Sequence, residues 1–343
     1  MTTEQFSERL LGAYNGAALS LMISIGHQVG LFEAMRGLRS STSAEIAAAA
    51  KLQERYVREW LGAMVTGGVV EIDDEQYRLP EEHAVCLTGP DSMAGPSQYI
   101  AEMGCVEQFL VNCFRNGGGV PYEKYPRFHE IMAEDSAQFV GSALEAHILP
   151  LVPGLVERLR AGIRVLDVGC GRGLTMTRLA QLFPKSRFEG IDFSEEATAF
   201  ARESAKTKNV TFLAADAAKP MGEGVYDWIT TFDSVHDQAK PLTVLENIFR
   251  ALKDDGVYLM QEISGSSHHH SDIGHPLGTL LYTISCMHCM TVSLAQGGEG
   301  LGAMWGEEKT REYLTRAGFT SIEKNELPHD VQNYWYVVRK GSA

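Results

Sequence analysis

No run of lysine and arginine interrupts this 343-residue chain: 30 basic residues stand against 44 acidic ones, for a formal net charge of −14 and an isoelectric point near 5.3. A nucleic-acid surface needs cations clustered against phosphate, so no nucleic-acid partner is expected. Long apolar runs are scarce as well. The apolar stretch 17–25 stops at Gly26, His27 and Gln28, and the first residues carry Glu4 and Glu8 in place of a basic leader. Neither a signal peptide nor a membrane span is expected. The six cysteines (Cys86, Cys105, Cys113, Cys170, Cys286 and Cys289) are scattered. A chain this long buries a core without covalent staples, so they read as reduced thiols in a cytoplasmic protein. Internal repeats and low-complexity segments are absent from the sequence. With 44% hydrophobic residues the composition is that of a soluble globular protein, and the length predicts two domains.

What the chain does have is a strand, a glycine turn and a helix almost halfway along. Residues 163–168 form a short apolar run rich in branched side chains, ending at Gly169, Gly171 and Gly173 on alternate positions. After them Leu174, Met176, Leu179, Ala180 and Phe183 recur at helical spacing. Such a loop lets backbone approach a ligand at the carboxyl end of a parallel strand. The G-x-G-x-x-G spacing of a dinucleotide site is missing, and Asp167 stands two residues before the first glycine. That acid would repel a pyrophosphate and suits a ligand cationic near the loop; S-adenosylmethionine carries both an ammonium and a sulfonium. A second strand over 188–191 ends at Asp192, placed to grip ribose hydroxyls, and a third over 210–213 leads to Asp216, placed for the adenine amine.

The amino-terminal part reads as helices. Apolar residues recur at helical spacing over 6–35, with more apolar surface than one stripe on a small domain needs, which predicts packing against a partner chain. Ser43 is expected to cap a helix over 44–50. A second helix over 54–66 places Val57, Trp60, Leu61 and Met64 on one face, and strands over 69–72 and 76–79 follow around Asp73, Asp74 and Glu75. Together these make a winged-helix pattern. Its recognition helix exposes a balanced Glu54, Arg55, Arg58 and Glu59, so dimerisation or substrate capping is favoured over DNA binding. Further helices are expected at 91–116, 134–146 and 151–161, with breakers at Gly117–Gly119 and Pro121 between the first two. Between them Tyr122, Tyr125, Phe128, His129, Phe139 and His147 read equally as pocket or core.

The three acid-tipped strands resemble the class I S-adenosylmethionine-dependent methyltransferases over 163 to about 340. A fourth strand over 226–232 precedes Asp233-Ser234-Val235-His236-Asp237-Gln238, and a fifth over 257–261 ends at Glu262. With the winged helix in front, the pattern is similar to the small-molecule O-methyltransferases. The resemblance implies an α/β, Rossmann-like methyltransferase domain over 121–343 behind an all-helical and winged-helix dimerisation and capping domain over 1–120. It also implies S-adenosylmethionine as methyl donor, a small-molecule substrate and a homodimer. By the same resemblance His236 is the general base, Asp237 and Glu262 assist it, and the donor meets Asp167, Gly169, Gly171, Gly173, Asp192, Phe193, Asp216, Ala217, Phe232 and Asp233.

The chain departs from that family at Gln238, where tryptophan is usual, and over 264–305, read as a lid insertion. That insertion holds His268, His269, His270, His275, Cys286, His288 and Cys289. A metal site there is resisted by the spacing, since three consecutive histidines cannot all face one ion, and no metal is expected. Three other functions stay open at this point: an N- or S-methyltransferase acting by proximity, a winged-helix regulator that senses the donor without using it, and a metal-dependent enzyme built on residues 268–289.

Overall fold

The structure, a computed structural model, describes residues 1–89, 92–141 and 143–341. The side chains of 138 and 139 lie outside the described set, and with them the expectation for Phe139. The chain divides into two units, Met1–Gly104 and Cys105–Ala343.

In the first unit the helical run over 6–35 is two helices, Thr3–Gln28 and Leu31–Arg36, because Gly30 takes a left-handed φ of 72° between them. The next helix, Ser43–Ala50, is capped by Thr42 and not by Ser43. Thr42 and Glu45 form a reciprocal capping box, which satisfies two orphan N–H groups at once. Ser43 instead donates to Glu54 at 2.6 Å. The helix Glu54–Thr66 buries Val57, Trp60, Leu61 and Met64, as their spacing predicts. The wing is shorter than expected, β1 (Glu71–Asp73) pairing antiparallel with β2 (Gln76–Arg78), because Val70 is drawn into the core. A helix over Glu81–Leu87 follows, which the sequence reading did not anticipate.

The helix Gln98–Asn116 runs through the division between units, and the expected breakers at Gly117–Gly119 follow it. In the second unit β3 (Arg164–Val168), β4 (Arg187–Asp192), β5 (Val210–Ala214), β6 (Tyr226–Phe232), β7 (Leu252–Ile263), β8 (Ser321–Leu327) and β9 (Asp330–Arg339) form one sheet in the order β5-β4-β3-β6-β7-β9-β8. The first five strands are mutually parallel, and β9 enters antiparallel between β7 and β8. Strand order reverses at β3, so the crevice above the ends of β3 and β6 is where such sheets bind ligands. Alternate residues feed two cores. Val165, Trp228 and Leu259 pack on one face, Leu166, Ile229 and Tyr258 on the other. Burial on both faces is why these strands read as continuous apolar runs instead of alternating ones.

One stretch differs from expectation. The helix foreseen at 134–146 is Phe128–Ser136 followed by wide π-type turns at Ala137–Gly141 and Leu144–Ile148. The segment Gly278–Ala295 is helical throughout, with one π turn at Ser285–Cys289, and by length and composition alone it could cross a bilayer. Here it is tied into the second unit: Thr291 accepts a hydrogen bond from the Val120 N–H at 2.9 Å, and Ser293 donates to the Gln238 carbonyl at 2.9 Å.

Candidate active site

The glycine loop is held by its neighbours on both sides. Gly169 and Cys170 donate to the Ile191 carbonyl at 2.8 and 3.0 Å, and Gly171 N–H donates to Asp192 Oδ2 at 2.8 Å. All three glycines have positive φ, which other residues adopt at a cost. A Cβ on Gly169 would collide with Ser234 and one on Gly173 with Phe212, whereas at Gly171 it would meet nothing within 4 Å. Two of the glycines are therefore needed for packing. The third leaves backbone open for something outside the protein.

Around this loop lies a cleft of about 770 Å³. Of the residues expected from sequence, Gly169, Asp192, Phe193, Asp216, Ala217 and Asp237 line it. Asp192 also accepts from the Ser194 N–H at 2.8 Å, so its two oxygens splint the loop and the start of the next helix. Asp216 accepts from the Ala218 N–H at 2.9 Å, and Asn247 pins the same turn by donating to the Ala217 and Lys219 carbonyls. Phe193 is exposed, a free ring at the rim. Asp167 sits beneath the loop, where it accepts from Thr230 at 2.7 Å, and burial pushes its carboxyl up to about 7. Gly171, Gly173, Phe232 and Asp233 are not among the residues that line it.

Glu262 lies at the end of β7, and His236 lies in the loop that follows the adjacent parallel strand β6. Both are buried, with His236 Nδ1 2.6 Å from Glu262 Oε2. The indole N–H of Trp305 donates to the same oxygen at 3.1 Å, fixing the carboxylate. Nδ1 therefore carries the proton, which leaves Nε2 as the acceptor whenever the ring is neutral. Burial opposes a charged ring, but Glu262 and the Cys289 sulfur overcome it and hold His236 well above the ordinary histidine value. Asp237 does not share this bond. It faces the cleft, and desolvation, opposed by His236, pushes its carboxyl to about 7.

The lid segment brings a further group that sequence reasoning missed. His288 is buried and stacked on Phe128, ring centroids 3.5 Å apart and planes 10° from parallel, with the edges of Tyr122 and Tyr125 at 5.3 and 4.8 Å. Neither ring nitrogen has a partner, and burial holds the imidazole well below its ordinary value, so it is neutral. No sequence signal marks this box, because its members lie 160 residues apart and meet only in the fold. His268 and His270 are exposed neighbours on a turn, His275 meets Ser264 at 3.1 Å, and Gln238 turns back to donate to the Ser234 carbonyl at 2.8 Å.

Residues 17–89 match the family model described as the Rv2258c-like winged HTH domain, and residues 159–318 match the methyltransferase domain model. The malonyl-[acyl-carrier protein] O-methyltransferase of Bacillus cereus is 34% identical over 149 residues, which are 42% of this chain and 49% of that protein. The chain thus spans about half the length of the curated relatives it matches. Among solved structures, human N-acetylserotonin methyltransferase in complex with SAM superposes with a TM-score of 0.71 at 21% identity, all of both chains covered. The mitomycin 7-O-methyltransferase superposes with a TM-score of 0.70 at 18% identity, covering 98% of each. At such identities these likenesses show the fold.

Proposed function

From the premise that residues 159–318 are an S-adenosylmethionine-dependent methyltransferase domain behind a winged helix-turn-helix domain, we propose that the chain transfers the donor's methyl group to a hydroxyl of a small molecule, with His236 as general base. The observation that carries the reading is the buried His236–Glu262 pair at the strand ends, next to the acid-lined glycine cleft. Methyl transfer from a sulfonium is an in-line displacement, so the protein positions the acceptor and removes its proton. A hydroxyl with a pKa near ~10 needs that help at neutral pH. Nε2 takes the acceptor's proton, and Glu262 stabilises the imidazolium formed.

The donor is read as held by Gly169, Gly171 and Asp192, with Asp216 and Ala217 at the adenine end and Phe193 closing over it. Asp167, Gly173, Phe232 and Asp233 support that grip from behind. Asp237 faces the donor's cationic end. The relatives named as O-methyltransferases support oxygen as the acceptor atom. Residues 1–120 are read as a dimerisation and capping module, residues 121–343 as the catalytic part, and the location as cytoplasmic.

The test is a metabolite panel incubated with the full chain and methyl-labelled S-adenosylmethionine. The reading expects a labelled methyl ether or ester and an equal amount of demethylated donor. Label found on nitrogen or sulfur overturns the oxygen assignment, and donor bound without any turnover overturns the enzymatic one.

A further inference from the structure

Asp233 is the first residue after β6 and takes a left-handed φ of 49°, a conformation that a residue other than glycine keeps only where its surroundings impose it. Its N–H donates to the Gln261 carbonyl at 3.2 Å, which holds it beside Glu262 of β7. One carboxylate oxygen of each acid and a ring nitrogen of His236 lie within 4.8 Å of one another. Glu262 gives its Oε2 to His236 and Trp305, while its Oε1 is sealed from solvent and has no partner among the described residues. Asp233 Oδ1 is sealed and open in the same way. Asp330, at the start of β9, shows the contrast, since Asn333 and Trp335 both donate to it.

Two carboxylates this close in a dry site repel each other, whereas one proton between them removes a charge and gives each open oxygen a partner. The proton belongs on Asp233, because Glu262 already accepts from two N–H donors and Asp233 Oδ1 from none. We propose that Asp233 is a positioning residue: as the neutral acid it donates its carboxyl hydrogen bond to Oε1 of Glu262, and through Glu262 it sets how tightly His236 holds a proton. Burial, and then the charge of Glu262, push the Asp233 carboxyl well above the ordinary aspartate value. Asp330 and Asp135, the latter on the helix Phe128–Ser136, bear on Asp233 in the same direction. Around His236 stand Glu262, Cys289, Asp237 and His288. A donor on Oε1 draws part of Glu262's charge away from the imidazole, so the ring releases its proton at lower pH than it would beside an unshared carboxylate.

The inference deepens the general-base reading and rests on it for the consequence in turnover. The titration of the ring is a property of the free chain and is read apart from catalysis.

The full chain, labelled with carbon-13 in its histidines, is titrated without donor or acceptor, and the His236 resonance is assigned by its loss in His236→Ala. Asparagine carries no charge, keeps an N–H donor and tolerates a left-handed backbone, so Asp233→Asn should leave the midpoint where it is. Asp233→Ala removes the donor and should raise the midpoint. An ionised Asp233 would behave otherwise, because a charge this close moves a pKa by about 1–3 and its removal would lower the midpoint. A change of about one pH unit or more in Asp233→Asn, in either direction, overturns the proposal, and so does a midpoint that ignores Asp233→Ala. Circular dichroism checks the fold of each variant. If one does not fold, the infrared band of protonated carboxyl at neutral pH must lose intensity from the wild type to the other, and no loss overturns the proposal. Failure of the base assignment shows separately, as turnover that survives His236→Ala while these midpoints hold.

Discussion

His236 owes its chemistry to Glu262. The carboxylate raises the imidazole's pKa above the ordinary histidine value, so the ring becomes an acceptor at higher pH than a free histidine would. Activity is therefore expected to rise with pH above the ordinary histidine value near ~6.5 and not through it. Glu262→Gln removes the raising charge, so the rising limb of the pH–rate profile should move to lower pH; a limb that stays put would detach Glu262 from the base. The linkage to stability has a definite sign. A pKa raised on folding contributes stability that is complete below the unfolded value and is lost as pH rises through the folded one.

The two acids assigned to the proposed donor site act in the opposite sense. Asp167 and Asp237 both titrate near about 7, raised chiefly by burial, and a cationic ligand favours their ionised forms. Affinity for S-adenosylmethionine should therefore increase between pH 5.5 and 8, and less so for the demethylated product, which lacks the sulfonium charge. Calorimetric titration of both ligands across that range checks it, and parallel pH dependences would remove the two acids from the sulfonium end.

At the scale of elements, the glycine loop separates packing from binding. Gly173→Ala drives a methyl into Phe212 and should cost about 1–3 kcal/mol of stability, read as a lowered melting temperature. A Cβ at Gly171 meets no neighbour, and the left-handed backbone of Gly171→Leu costs only about 1–2 kcal/mol. It should leave a folded protein that no longer binds the donor, and unchanged calorimetric affinity would contradict the loop's role. The strands were legible because each central one is an apolar run that ends at an acid or a glycine. The cap at Thr42 in place of Ser43 was not, since either hydroxyl can serve and the choice depends on the reach of Glu45. The assignment of His236's partner was half legible. Glu262 was named alongside Asp237, but only the register of β6 on β7 shows which one reaches Nδ1. The members of the box around His288 were legible singly, Tyr122, Tyr125 and Phe128 as pocket or core, but their meeting with His288 was not, because stacking between distant segments leaves no periodicity.

On the scale of the molecule, the helix Thr3–Gln28 exposes Phe6, Leu10, Leu11, Tyr14, Leu21 and Ile25. That is more apolar surface than one amphipathic helix leaves in water without cover, and a second copy of the chain is the expected cover. Sedimentation at micromolar concentration should report a dimer, and Leu10→Glu with Tyr14→Glu should shift it to monomer. A wild-type monomer would contradict this. The acidic balance of the whole chain agrees with a small-molecule acceptor and gives no surface for a polyanion.

The most direct measurement is the single-turnover rate of His236→Ala on the acceptor identified by the labelled panel, with donor and acceptor both saturating. Loss of general-base catalysis predicts a fall of about 10²- to 10⁴-fold, with donor affinity unchanged by calorimetry. A variant that transfers the methyl group at the wild-type rate, with the same pH profile, would contradict the account.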